Sequence, residues 1–157
     1  MDKAQTIKAQ ADELLTKMID GYELEVREIE GMYEVMIKTE EHAPTVIGRH
    51  GETIRALQKI LEVILYKTFG EPVEMLVNVN DYREKQKERL EGIAENIAQR
   101  VMTEKRELPL RSFSAFERKL IHEYIAKNHP DLVTHSEGEG KERQLVIGPK
   151  SEEVASE

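Results

Sequence analysis

The chain has no cysteine and no tryptophan, and only five tyrosines and three phenylalanines among its 157 residues. Without thiols it can form neither disulfides nor thiolate–zinc sites. With so few aromatic rings, most of them read below as core, a nucleic-acid ligand would find few platforms for base stacking. No apolar run approaches the roughly 20 residues that a membrane-spanning helix needs, and no segment reads as a signal peptide. The expectation is therefore a cytoplasmic protein with no membrane insertion. The five histidines (His42, His50, His122, His129, His135) lack zinc-ligand spacing, the acids do not gather into a two-metal pattern, and neither a P-loop nor a Ser/His/Asp set can be found. No metal, no cofactor and no enzymatic activity are expected.

What the chain does have is charge. Its 31 acids and 23 bases leave a net −8, which on average would repel a polyanion. The distribution is uneven. Residues 1–41 hold 11 acids and 5 bases, whereas residues 42–80 hold four of each and residues 81–107 seven of each. The acidity sits mostly away from the two segments singled out below, so local cations there can still meet phosphate, with modest and salt-sensitive affinity.

Periodicity gives the elements. Ala4, Ile7, Ala11, Leu14, Leu15 and Met18 form a helical stripe, ended by Gly21. Tyr22, Leu24 and Val26, then Tyr33, Val35 and Ile37, alternate about a Glu30-Gly31 turn and predict a β-hairpin. Ala43 to Ile47 fits a short helix with Pro44 in its first turn. Glu52 to Lys67 carries Ile54, Leu57, Leu61 and Ile64 at helical spacing, and Val73, Met75, Val77 and Val79 read as a third strand. A long helix follows, capped by Asp81, with Leu90, Ile93, Ile97 and Val101 on one face and interleaved acids and bases on the other. That charged run reads as a solvated face. Ser114 with Glu117 makes a capping box for a further helix to about Lys127, whose buried face is expected to be Phe116, Leu120, Ile121 and Tyr124. Leu132 to His135 and Gln144 to Ile147 read as two strands. The domains are expected at 1–80 and 81–150, with a flexible tail at 151–157.

Two motifs carry the chemistry. The first is Ile47-Gly48-Arg49-His50-Gly51, in which two glycines bracket Arg49 and His50 directly before a helix. Lacking a Cβ, glycine permits turns and close backbone approach that other residues do not, and a turn feeding a helix can present N–H groups to phosphate. By itself a G-x-x-G is weak, since a purely structural turn uses the same residues. The second is Arg118 and His122, four apart and so stacked on one helix face. Guanidinium offers a planar fork of donors for phosphate, and imidazole a hydrogen bond or a stacking face. Arg111 and Lys119 lie close in sequence, and Lys141 and Arg143 lie on the facing hairpin. The bland alternative has Arg118 paired with Glu117 or Glu123 on an ordinary surface.

With its flanking elements, Gly48 to Gly51 resembles the GXXG loop of a type II KH domain, in which such a loop clamps the backbone of about four nucleotides. The stretch Ser114-Ala115-Phe116-Glu117-Arg118-Lys119-Leu120-Ile121-His122, with Thr134-His135-Ser136-Glu137-Gly138-Glu139-Gly140 and Arg143 before Leu145-Val146-Ile147, resembles the R-three-H domain, a single-stranded nucleic-acid-binding module. The two in series are similar to the bacterial Jag proteins, also called KhpB or SpoIIIJ-associated proteins. That resemblance implies an α+β architecture: a type II KH domain, with a three-stranded sheet packed with helices, joined by a long helix to a small α+β R-three-H domain. It implies a cytoplasmic protein that binds single-stranded RNA, or single-stranded DNA, and acts in control of cell elongation and envelope synthesis. It further implies a small KH-only protein as partner; a homodimer is left open by the sequence, with Met32 and Met36 as either core or a dimer surface. Many members carry an N-terminal Jag domain, which this sequence is expected to lack. The RNA-binding residues implied are Gly48, Arg49, His50, Gly51, Arg111, Arg118, Lys119, His122, Lys141 and Arg143. Two other classes stand beside this one: a protein-interaction scaffold with a degenerate KH domain, favoured by net acidity, and a nuclease, which no constellation supports.

Overall fold

A computed structural model describes residues 2–151. Apart from Ser151, the expected tail therefore lies outside the described residues. The chain is mixed α+β and divides into two compact units between Arg83 and Glu84.

In the first unit, Asp2 caps helix α1 (Lys3–Leu15) by accepting from the Ala4 N–H, and Ile7, Ala11 and Leu15 bury one face at intervals of four. Strands β1 (Tyr22–Ile29) and β2 (Met32–Thr39) pair antiparallel from Tyr22↔Thr39 to Ile29↔Met32. The two residues left between them, Glu30 and Gly31, both take positive φ, 52° and 86°. That is the primed turn whose twist matches a hairpin. A short helix α2 (Ala43–Ile47), a 3-10 turn at Arg49–Gly51 and helix α3 (Glu52–Phe69) then cross over to β3 (Met75–Val79), which runs parallel to β2 in a sheet of order β1-β2-β3. Alternation puts Val35, Ile37, Val77 and Val79 into one core with Ile54, Leu57, Leu61 and Leu65 of α3. The expected Ile64 is only half-buried and Leu65 takes its place. At 3.6 residues per turn, 54, 57, 61 and 65 follow one line and 64 falls to its side. On β3, the Val77 N–H donates to Gln58 Oε1 (3.1 Å) and its carbonyl accepts from Arg83 Nε (2.6 Å). Side chains thus satisfy backbone groups that an open strand edge would leave unpaired.

Helix α4 (Tyr82–Glu104) contributes Leu90, Ala94, Ile97, Ala98 and Val101 to the core of the second unit. There β4 (Leu108–Leu110), β5 (Leu132–Glu137) and β6 (Gln144–Pro149) form an antiparallel sheet of order β4-β6-β5. Helix α5 (Ala115–Asn128) opens with the expected capping box: the Glu117 N–H donates to Ser114 Oγ (3.2 Å) and the Ser114 N–H to Glu117 Oε2 (2.8 Å). Its fully buried positions are Glu117, Ile121 and Ile125, while Phe116, Leu120 and Tyr124 are half-buried. The expected face is rotated because the Glu117 carboxylate turns inward, where it accepts from Arg89 Nη2 at 3.2 Å. Among the described residues no helix is long and apolar enough to cross a membrane.

At the other end of α5, Glu95 accepts from Tyr124 Oη (2.9 Å) and pairs with His129 Nε2 (2.7 Å). Hydrogen bonds from Gln99, His129 and Tyr124 hold the Glu95 carboxyl down to about 2, against an ordinary 4.5. A carboxyl depressed in the folded state stabilises the fold above its unfolded value, and that contribution disappears as pH falls through the folded one. Stability of this unit should accordingly decline from about pH 4.5 toward pH 2. Thermal unfolding followed across that range should show a shallower decline for Glu95→Gln than for the wild type.

Candidate functional site

The first motif becomes a strained turn. Gly48 ends α2 at φ 71°, ψ 178°, His50 sits at φ 53°, ψ 24°, and Gly51 opens α3 at φ 73°, ψ 18°. The Gly48 conformation is open to glycine almost alone. A Cβ there would lie 2.1 Å from Thr53 Oγ1, and one on Gly51 would lie 2.8 Å from Tyr82 Oη. Gly48 is thus required by packing as well as by dihedral, and Gly51 is favoured by its dihedral. The turn is pinned from below, since Arg55 Nη1 donates to the His50 carbonyl at 2.9 Å. Arg49 is exposed and His50 half-buried. Thr53, Arg55 and Tyr82, none of them singled out from sequence, are the side chains that hold the loop.

The second motif becomes one wall of a recess. Arg118, Lys119 and His122 on α5 face Thr134, His135 and Ser136 on β5, with Ala115 and Leu145, around an open cavity of about 400 Å³. Helical spacing stacks Arg118 under His122, and the period of two along β5 places Thr134 and Ser136 on one face. Arg118 Nη1 donates to the Phe113 carbonyl at 2.7 Å. Neither acid that might have taken Arg118 does so: Glu117 is held by Arg89, and Glu123 sits 3.8 Å from Lys119. His122 Nδ1 hydrogen-bonds with Thr134 Oγ1. His135 Nε2 lies 3.4 Å from Glu137 Oε2, and Glu137 is held below the usual carboxylate range by hydrogen bonds from Gln144 and His135.

The remaining expected cations do not line this recess. Arg111 Nε donates to Gln144 Oε1 (3.0 Å), Arg143 Nη1 to the Gly138 carbonyl (2.8 Å), and Lys141 stands exposed on the 3-10 turn Gly140–Glu142. Arg143 therefore shapes its own hairpin loop, and Arg111 bridges β4 to β6. Conversely, Thr134, His135 and Ser136 were visible as part of the motif but not as wall residues. Strand alternation pairs Thr134 with Ser136, yet nothing local says that α5 packs over them. Among the described residues no group of three or more His, Asp or Glu is placed to hold a metal ion.

Residues 88–149 match the R-three-H domain family, which sets the class of the second unit. Three similar proteins each bear the name RNA-binding protein KhpB. That of Clostridium symbiosum is 30% identical over 156 residues, covering 96% of this chain and 69% of the relative. That of Lactiplantibacillus plantarum is 37% identical over 102 residues, 65% of this chain and 31% of the relative. That of Bacillus subtilis is 35% identical over 114 residues, 71% of this chain and 54% of the relative. For the last two, then, the match spans about a third to a half of the relative's own length. The chain belongs to the Jag/KhpB family.

The loop geometry yields a test. Gly48→Ala should destabilise the first unit by roughly 2 kcal/mol or more, through a disfavoured dihedral and the collision with Thr53. Gly70→Ala shares the positive φ but meets no atom within 4 Å, and should cost only about 1 kcal/mol. Urea denaturation of both variants checks the contrast.

Proposed function

We propose that this chain is a single-stranded RNA-binding protein with two docking points and no catalytic activity. One observation carries the reading. In a chain with 31 acids and net charge −8, no carboxylate among the described residues lines the α5–β5 recess, whereas Arg118, Lys119 and His122 do, with the hydroxyls of Thr134 and Ser136. A wall of donors without an acid suits phosphate oxygens and rejects cationic ligands. The R-three-H match and the RNA-binding name of the relatives agree with that chemistry.

We read the first unit as a type II KH domain. The order α1-β1-β2-α2-α3-β3, the parallel β2–β3 pair and the G-x-x-G turn between α2 and α3 support this. In this reading the loop takes a short run of backbone, with exposed Arg49 as its cation and Gly48, His50 and Gly51 as its frame. The domains are 1–80 and 81–150, with Arg111, Lys141 and Arg143 as outlying phosphate contacts. Few aromatic rings are available for stacking, so affinity comes from the backbone and sequence choice is weak. The setting we propose is post-transcriptional control in the cytoplasm, connected to cell elongation and envelope synthesis. A small KH-only protein or a second copy would be the protein partner, and exposed Ile60, Val63 and Tyr66 on α3 are an apolar face such a partner could cover.

Net acidity favours the competing scaffold reading, and binding measurements separate the two. In fluorescence anisotropy with a 12-nucleotide unstructured RNA, Arg118→Ala should weaken binding by roughly tenfold. It should also reduce the salt slope by about one. Arg49→Asp with His50→Asp should weaken it further without unfolding, because aspartate tolerates the left-handed backbone at position 50. Unchanged RNA affinity in all these variants would leave the scaffold as the better account.

A further inference from the structure

Thr134 is not among the ligand-binding residues expected from the sequence, yet it holds one of the recess side chains, His122. Its Oγ1 hydrogen-bonds with His122 Nδ1, and both residues line the recess. An imidazole ring offers two nitrogens, and the bond made by one determines what the other can do. Nδ1 is engaged by Thr134, and Nε2 has no partner among the described residues. If the hydroxyl donates to Nδ1, the ring proton must sit on Nε2 and that nitrogen becomes a donor. If the hydroxyl accepts, Nε2 of the neutral ring is a bare lone pair, which a phosphate oxygen repels. The anionic ligand proposed above favours the first of these. Every other polar group around the recess, on Arg118, Lys119, Ser136 and His135, can donate, and among the described residues no carboxylate is there to accept. A donor at Nε2 completes the set, and an acceptor would oppose it.

We propose that Thr134 is a positioning residue: its hydroxyl donates to His122 Nδ1, keeps the proton on Nε2, and presents an uncharged imidazole N–H to an oxygen of the bound strand. This rests on the RNA-binding reading above. It also matches the treatment of Arg118, whose Nη1 is spent on the Phe113 carbonyl. Each of the two side chains is tethered by one nitrogen and offers the rest, so little orientational freedom is lost when a ligand arrives. The ring donates as its neutral tautomer, so the contact needs no positive charge on His122.

The test uses the whole chain with Thr134→Val, which keeps the shape and removes the hydroxyl, and Thr134→Ser, which restores it. Long-range proton–nitrogen NMR of the His122 ring, at a pH where it is neutral, should report a protonated Nε2 and a bare Nδ1 in the wild type and in Thr134→Ser. Thr134→Val should show a mixture of tautomers. RNA affinity for the 12-nucleotide strand should drop roughly three- to tenfold in Thr134→Val and recover in Thr134→Ser. In a His122→Ala background, Thr134→Val should cost nothing more. A wild-type ring protonated at Nδ1, or a Thr134→Val ring with unchanged nitrogen shifts, would overturn the assignment. So would an additional loss in the His122→Ala background. The nitrogen shifts are read without RNA, so failure of the wild type to bind RNA would overturn the RNA-binding reading while the role of Thr134 is still decided by the ring.

Discussion

The second unit hangs on one buried carboxylate. Glu117 is almost fully inaccessible, yet both its oxygens are used: one accepts from the Ser114 backbone N–H, the other from Arg89 on α4. A buried charge left without partners would cost several kcal/mol, so α5 can begin only where this carboxylate finds both. That sets the rotation of the helix as well as its start. Arg118 follows Glu117 directly, and its Nη1 reaches back to the Phe113 carbonyl just ahead of the cap. His122 lies one turn on, over Thr134. An interaction made for folding thereby aims the side chains that line the recess.

The loop of the first unit obeys a steric rule instead. Between α2 and α3 the chain reverses within four residues, and three of them take positive φ. Thr53 and Tyr82 occupy the space where side chains at 48 and 51 would go. Only then are the two intervening positions available for polar side chains, with Arg49 left exposed. The glycines thus set the shape of the turn, and the residues between them set its charge.

Charge is sorted rather than scarce. Much of the excess acid lies within residues 1–41, where Glu13 and Glu25 pair with lysines. Around the α5–β5 recess the nearest acids are taken: Glu117 by Arg89, Glu123 by Lys119, Glu137 by Gln144 and His135. The net value of −8 therefore describes the chain as a whole and not the surface around the recess, because screening confines exposed charges to a local influence of about 8–10 Å.

The elements were legible from sequence because their causes are local. Periods of 3.6 and 2, the Ser114–Glu117 capping box and the positive-φ pair Glu30-Gly31 act within a few residues, and the helices and strands lie close to where those signals put them. The faces were less legible. Which side of α5 is buried depended on Arg89, 28 residues away in the chain, and Phe116 and Tyr124 yielded their places to Glu117 and Ile125. The same limit applies to the recess. Arg118 and His122 were evident as a spaced pair, but Thr134, which holds the His122 ring, belongs to another element. Arg111 and Arg143, which looked equivalent to them by charge, are committed to Gln144 and to the Gly138 carbonyl. By itself the sequence determined the elements, the glycine turn and the kinds of side chain on offer, since all of these follow from near-neighbour sterics and hydrogen bonding. The packing of α5 on β5 decided which cations line the recess and which lie outside it, because a side chain's surroundings depend on partners that only the folded chain brings within reach.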